Sequence, residues 1–172
     1  MIGRRAGVDV RAEGSGNIGA TNVARTMGMR AGLLTLAGDI AKGAFPQLVC
    51  EWLGVEADVA AWAGIASVVG HLFPIFGGLR GGKGVATAFG VLLVIAPQPA
   101  IAVAAVFAVA VRSTRYVSVG SMIGAASIPF ALFAFDSPWP VVRMGMVIGA
   151  LILWRHRENL IRVMERREPR VG

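Results

Sequence analysis

The chain has one cysteine and one tyrosine in 172 residues, and only 16% of its residues are charged. A lone Cys50 excludes a disulfide framework and any cysteine-based metal site; set in an apolar stretch, it reads as a small buried hydrophobe. Globular domains carry about 25% charged residues. Here the shortfall accompanies 55% apolar residues and a mean hydropathy of +0.65, more apolar surface than a soluble domain of this size buries. Acidic residues are the scarcer charge, 10 against 17 basic, for a formal charge of +7. The basic residues sit between apolar blocks with no aromatic-rich basic face, which excludes nucleic acid as the partner and favours a membrane with anionic lipid. Residues 1–14 contain no apolar run of the signal-peptide kind, and no internal repeat or low-complexity tract is evident.

What is present is a series of apolar blocks: Ala31 to Leu53, Val59 to Phe76, Val85 to Val111, Val117 to Phe135 and Val141 to Trp154. A spanning helix needs about 20 mainly apolar residues. Four blocks suit one span each, and the third is interrupted by Pro97-Gln98-Pro99. If that tripeptide is a turn between two short helices, there are six spans, and 15 of the 17 basic residues fall on one side, in residues 1–30, 77–83, 112–116 and the tail after Trp154. The opposite loops hold Glu51, Glu56, Asp58 and Asp136 with no Lys or Arg. Read as one span, the third block breaks that asymmetry. Since short cytoplasmic loops are rich in Lys and Arg, the expectation is an all-α, polytopic transmembrane helix bundle of six spans with both ends cytoplasmic. The two short spans must thin the bilayer, extend through the glycine-rich flank, or lie partly inside the bundle. The whole chain, 1–172, reads as one membrane domain, with residues 1–30 as a cytoplasmic segment and 155–172 as a basic tail that is solvated or touches headgroups.

Three polar stretches on the basic side carry the candidate chemistry. Residues 14–22 read GSGNIGATN. Gly14 and Gly16 permit the positive φ angles that let amides converge on an anion, while Ser15, Asn17, Thr21, Asn22 and Arg25 add donors and charge. An ordinary loop capping the next helix is the alternative. Residues 77–87 read GGLRGGKGVAT, close to a phosphate loop except that Gly84 stands where Ser or Thr holds magnesium, and no strand precedes it. Nucleotide hydrolysis is therefore not expected, but Gly81, Gly82 and Gly84 with Arg80 and Lys83, at a helix start, form a phosphate cradle. A cationic loop that only sets topology is the alternative there. In RHRENLIR, His156 and Asn159 are three apart and share a helical face, which makes them a base or donor beside an amide, or merely surface groups. Within the spans, Asp39 and Lys42 read as an internal ion pair, and His71, ahead of Pro74, as structural. Ser118 and Ser121 lie just inside the basic surface, where each can also bond back to its own helix.

The residues resemble those of the bacterial acyl-phosphate:glycerol-3-phosphate acyltransferases, the PlsY family. GSGNIGATNVARTMG at 14–28, GHLFPIFGGLRGGKGVAT at 70–87 and RHRENLIR at 155–162 carry the resemblance, with GDIAKG and RYVSVGS between them. It implies a multi-pass protein of the bacterial cytoplasmic (inner) membrane, its site facing the cytoplasm. The implied reaction moves a fatty acyl group from acyl phosphate to the 1-hydroxyl of glycerol 3-phosphate, giving lysophosphatidic acid and phosphate. Neither metal nor cofactor is implied, and the implied partners are those substrates, membrane lipid and an enzyme that forms acyl phosphate. Neither His71 nor His156 has an Asp five residues later, so the His-x4-Asp signature of other glycerolipid acyltransferases is absent.

By this resemblance Ser15, Arg25, Lys83, Ser121, His156 and Asn159 are the catalytic set, with Ser121 a donor to the developing oxyanion and either His156 or a substrate phosphate taking the proton. Gly14, Gly16, Asn17, Thr21, Asn22, Arg80, Gly81, Gly82, Gly84 and Ser118 bind phosphate. Family members usually have a further span before the first motif, whereas here 13 residues precede Gly14. Ile18 replaces a usual proline, Arg80 a common lysine, and Met122 a frequent serine. An inactive truncated relative and a membrane carrier of a phosphorylated metabolite are the alternative functions.

Overall fold

The structure, a computed structural model, describes residues 9–75 and 81–171; Arg80 and the start of the glycine-rich stretch lie outside them. Among the described residues all regular structure is helical, in eight helices: α1 (Ala20–Met27), α2 (Met29–Leu53), α3 (Ala57–Leu72), α4 (Val85–Ile95), α5 (Pro97–Thr114), α6 (Val117–Ala134), α7 (Trp139–Arg155) and α8 (Arg157–Met164). The six longer ones, α2 to α7, coincide with the apolar blocks. By length and composition alone, α5 and α6 suffice to cross a membrane, while α3 and α4 are apolar but shorter.

The third block does divide in two, but not through a turn at Pro97-Gln98-Pro99. The chain breaks at Ala96 (φ −153°, ψ 72°), and the two prolines sit in the first turn of α5. That is where proline fits a helix, since the first amides lack intrahelical acceptors anyway. Near the start of the domain, Gly28 turns the chain from α1 into α2 at φ +88°.

Helix α4 is the hub, packing against α2, α3, α5 and α7. At 11 residues it is about 16 Å long, too short for a hydrocarbon layer of about 30 Å. It lies inside the bundle, with Thr87, Ala88, Val91 and Leu92 buried, rather than along lipid. Small residues let it in. A methyl on Gly43 of α2 would overlap the Thr87 carbonyl oxygen, and one on Gly90 of α4 would overlap the Ile40 carbonyl oxygen. Backbones thus approach closely, as membrane helices do where dispersion replaces the hydrophobic effect between them.

Large apolar side chains point outward around this core. Phe130 and Phe133 are 74% and 71% exposed, and Trp52 and Trp139 mark the acidic end of the bundle. At that end the Arg143 Nη2 to Asp58 Oδ1 pair (3.1 Å) ties α7 to α3. Inside the bundle, Gln47 donates to the Ala60 carbonyl (3.1 Å). The Asp39–Lys42 pair forms at 2.8 Å on α2, but with the Lys42 side chain 62% exposed it is not the internal pair expected; His71 Nδ1 lies 3.6 Å from the same carboxylate. Cys50, on α2, is only partly buried rather than the buried hydrophobe expected.

The tail departs from expectation. Residues 165–171 are not a free solvated end but fold back over the basic end of the bundle. Val171 N donates to the Arg115 carbonyl (2.9 Å), and Arg170 Nε donates to Tyr116 Oη (3.0 Å) with its guanidinium 5.3 Å from the ring centroid. An aromatic ring and a free carbonyl in the α5–α6 turn give the cationic segment something to bind, which its composition does not reveal.

Replacing Gly90 with leucine is expected to force α2 from α4 and prevent a stable fold, since overpacking typically costs about 1–3 kcal/mol and backbone contacts cannot yield. Gly38, where a methyl meets nothing, should accept alanine. Thermal unfolding in detergent micelles distinguishes the two.

Candidate active site

The first motif builds its loop around one buried side chain. Asn22 accepts from Ser15 N (2.8 Å) and donates through Nδ2 to the carbonyls of Val10, Asn17 and Glu13 (2.9, 2.9 and 3.1 Å). Gly14 and Gly16 take the positive φ angles, +60° and +67°, that this wrapping demands. The amides do not converge outward, however. Ser15 N is taken by Asn22 and Gly16 N by the Glu13 carbonyl, while Gly19 N bonds Asn17 Oδ1 at 2.7 Å. So Asn22, Gly14 and Gly16 shape the loop instead of offering it as an anion nest. Gly14 and Gly16 do not line the cavity at all, whereas Ser15, Asn17, Gly19, Ala20, Thr21 and Arg25 do. The opening residues of α1 therefore face that space.

The second motif is placed by close packing as well. Gly81 N donates to the Leu72 carbonyl (3.0 Å), and a side chain on Gly82 would overlap the His71 ring. Arg155, closing α7, donates to the Gly81 carbonyl (3.0 Å) and the Gly82 carbonyl (3.2 Å). Neither glycine lines the cavity. Their role is to let the loop sit against His71 and Arg155, so that Lys83, Gly84, Val85 and Ala86 open α4 toward the same space as α1. Gly84 caps α4 at φ +81°.

The third motif supplies the far wall. His156 is buried between α7 and α8, its Nδ1 2.8 Å from the Ile152 carbonyl. A carbonyl only accepts, so Nδ1 carries the hydrogen and Nε2 is left with its lone pair. Burial lowers the His156 pKa from 6.5 to about 4, against the Ile152 bond and helped by Lys83. Asn159 Oδ1 accepts from Lys83 Nζ, and Asn159 Nδ2 donates to Glu168 Oε1 at 2.6 Å. Arg162 Nε holds the other carboxylate oxygen of Glu168 at 2.8 Å. Burial pushes the Lys83 pKa from 10.5 to about 8; Glu168 opposes the shift, while Arg162 and Arg155 add to it. For Glu168 burial acts to raise the pKa, but bonds from Arg162 and Asn159 outweigh it and hold the carboxyl below its ordinary value.

The two serines are committed differently. Ser121 Oγ donates to the Val117 carbonyl (2.8 Å), so its proton is committed to its own helix and is not preset for an oxyanion. Ser118 Oγ, also on the cavity wall, makes no hydrogen bond of good geometry.

These groups surround one cavity of about 380 Å³. Ser15, Arg25, Lys83, His156 and Asn159 all line it, as do Leu36, Phe89, Leu92, Val103, Phe107 and Ile128. Asp39, His71, Glu168 and Pro169 also border it, and the site reading from sequence left all four out. No group of three or more metal-ligating side chains occurs among the described residues.

A sequence model of the family described as glycerol-3-phosphate acyltransferase matches residues 1–166. The chain belongs to that family. It is 45% identical over 170 residues to a glycerol-3-phosphate acyltransferase of Geobacter sulfurreducens, covering 99% of this chain and 88% of that one. With a glycerol-3-phosphate acyltransferase of Aquifex aeolicus it shares 43% identity, covering 99% and 89%. Its fold matches crystal structures of PlsY (YgiH), an integral membrane glycerol 3-phosphate acyltransferase. Against the glycerol 3-phosphate form the TM-score is 0.95 at 43% identity, and against the lysophosphatidic acid form 0.92 at 42%. Each match covers 99% of this chain and 86% of the other. As a glycerol-3-phosphate acyltransferase family member whose fold matches that of an integral membrane protein, the chain is a membrane protein.

Arg155→Ala should lower the unfolding temperature in micelles, since bonds from a charged donor each contribute about 1.5–3 kcal/mol. Arg155→Lys should recover only part of the loss, because an ammonium lacks the fork that reaches two carbonyls.

Proposed function

We propose that this protein transfers a fatty acyl group from acyl phosphate to the 1-hydroxyl of glycerol 3-phosphate, releasing lysophosphatidic acid and phosphate as a step of phospholipid synthesis. The observation that carries the reading is a cavity lined by Arg25, Lys83 and the opening residues of two helices together with many apolar side chains. Two helix N-termini with Arg25 and Lys83 suit two phosphate groups. The apolar wall suits an acyl chain.

Arg25, Lys83 and the first amides of α1 and α4 bind and orient the two phosphates. Holding reactants this way can supply roughly 7–11 kcal/mol in the best intramolecular cases. The glycerol oxygen attacks the acyl carbonyl carbon, the bond from that carbon to the phosphate oxygen breaks, and the electron pair leaves with phosphate. His156, neutral near pH 7, accepts the glycerol hydroxyl through Nε2 and aligns it. With a pKa of about 4 it is a weak base. A phosphate oxygen, with a second pKa of about 6, is the stronger acceptor, so the proton ends on phosphate. No covalent enzyme intermediate is required. Ser118, bordering the same space, is placed to donate to the carbonyl oxygen as charge develops there.

Helices α2 to α7 are the six spans in this reading, in a bacterial cytoplasmic membrane, with both ends of the chain and the cavity opening on the cytoplasmic side. The charge asymmetry supports that orientation.

Purified protein given palmitoyl phosphate and glycerol 3-phosphate should release lysophosphatidic acid and phosphate in equal amounts; a folded sample that forms neither would defeat the proposal. Lys83 must be charged to hold phosphate, so kcat/KM should fall as pH rises through about 8. No limb from His156 should appear above pH 5, and Lys83→Ala should lose about 10²–10³-fold, as when one preorganised donor is removed. For orientation, a cysteine placed at Glu56 in a Cys50→Ser background should react with an impermeant maleimide in intact cells, whereas one at Arg112 should react only after lysis.

A further inference from the structure

We propose that Glu168 is a positioning residue for the acyl transfer: its carboxylate sets the orientation of Asn159, which in turn holds Lys83 at the cavity. The inference rests on the reaction proposed above, and it gives the folded-back tail a part in it.

The geometry has one consistent solution. Lys83 has only donors and needs the Asn159 oxygen. Ionised Glu168 has only acceptors and needs the Asn159 amide nitrogen. With a lysine on one side and a carboxylate on the other, the amide has a single orientation that satisfies both. Without the carboxylate, either end of Asn159 can turn toward Lys83, and the amide nitrogen there would repel the ammonium.

Glu168 is itself held rather than loose. Its side chain is 7% exposed, and Arg162 fixes the oxygen that Asn159 does not use. On either side of it the chain is tied down: Arg25 Nη2 lies 3.5 Å from the Pro169 carbonyl, Arg170 bonds Tyr116, and Val171 bonds Arg115. A flexible tail would not place a carboxylate to within a hydrogen bond. This one is strapped to α1 and to the α5–α6 turn.

Charge adds a second consequence. Lys83 faces Glu158 and Arg162 from α8, Arg155 and neutral His156 at the end of α7, and Glu168 from the strap, with Arg25 of α1 on the same cavity wall. Removing the Glu168 charge leaves the ammonium among mainly cationic neighbours, so it loses its proton at lower pH.

Lys83 and Lys42 are the only lysines in the chain, so competitive acetylation with acetic anhydride, read peptide by peptide against Lys42, reports the titration of Lys83 directly. In the full-length protein in micelles, Glu168→Gln should move the Lys83 midpoint down by about one pH unit. It should also lower kcat/KM for glycerol 3-phosphate about 10- to 100-fold, with the alkaline limb moving the same way. Glu168→Asp should restore most of the midpoint and less of the rate. A Glu168→Gln protein with wild-type unfolding temperature and an unmoved Lys83 midpoint overturns the proposal, as does wild-type kcat/KM in a folded Glu168→Ala. Should the alanine variant not fold, the isosteric glutamine decides. Wild-type protein that makes no lysophosphatidic acid while its Lys83 midpoint still responds to Glu168→Gln would sink the acyltransferase reading and leave Glu168 as the group that holds Lys83.

Discussion

A lysine ammonium drawn partly out of water sets the terms for the rest of this molecule. Burial drives the Lys83 pKa down to about 8, and Glu168 works against the loss of its charge. Asn159 meets it directly, Glu168 holds Asn159, and Arg162 holds Glu168. Each member satisfies the next, which is the condition under which a buried polar network stabilises rather than costs. The glycine loop before Lys83 serves the same end. Its close fit to His71 and the grip of Arg155 fix where the lysine emerges.

The apolar core explains why the charge can be placed there. Helix α4 begins directly after Lys83 and Gly84 and runs inward through the bundle, allowed to do so by the close approaches at Gly43 and Gly90. Because it is short and surrounded, its N-terminal dipole acts in a medium of low dielectric, where it is less screened than at a wet surface. Helix α1 contributes a second such terminus across the cavity.

Much of this was legible in the residues. The apolar blocks located six helices with starts within about two residues, because long unbroken runs leave the backbone few other ways to satisfy its hydrogen bonds. The break at Ala96 was placed slightly late, since the prolines that mark it belong to the first turn of the following helix. The motifs named most of the residues that meet at the cavity. What they could not reveal was where individual atoms are committed. Ser15 N and Gly16 N are consumed inside their own loop, and the Ser121 proton goes to its own helix. Glu168 was hidden by its setting, one of three acids in an arginine-rich tail that looks like a solvated end. The available hint was that an acid followed by proline interrupts that cationic run. Asp39 was legible as the ion-pair partner of Lys42 and His71 as structural, but neither as cavity wall, because that depends on how α2 and α3 lean against α4.

The closing of the tail also bears on the order in which this wall is completed during synthesis. Ser15, Arg25 and Lys83 precede Asn159 and Glu168 along the chain. Helices fold and insert in order as the chain emerges. The network that steadies Lys83 therefore cannot form until residue 168 has left the ribosome. A nascent chain whose bundle is already threaded still has an unfinished wall until then.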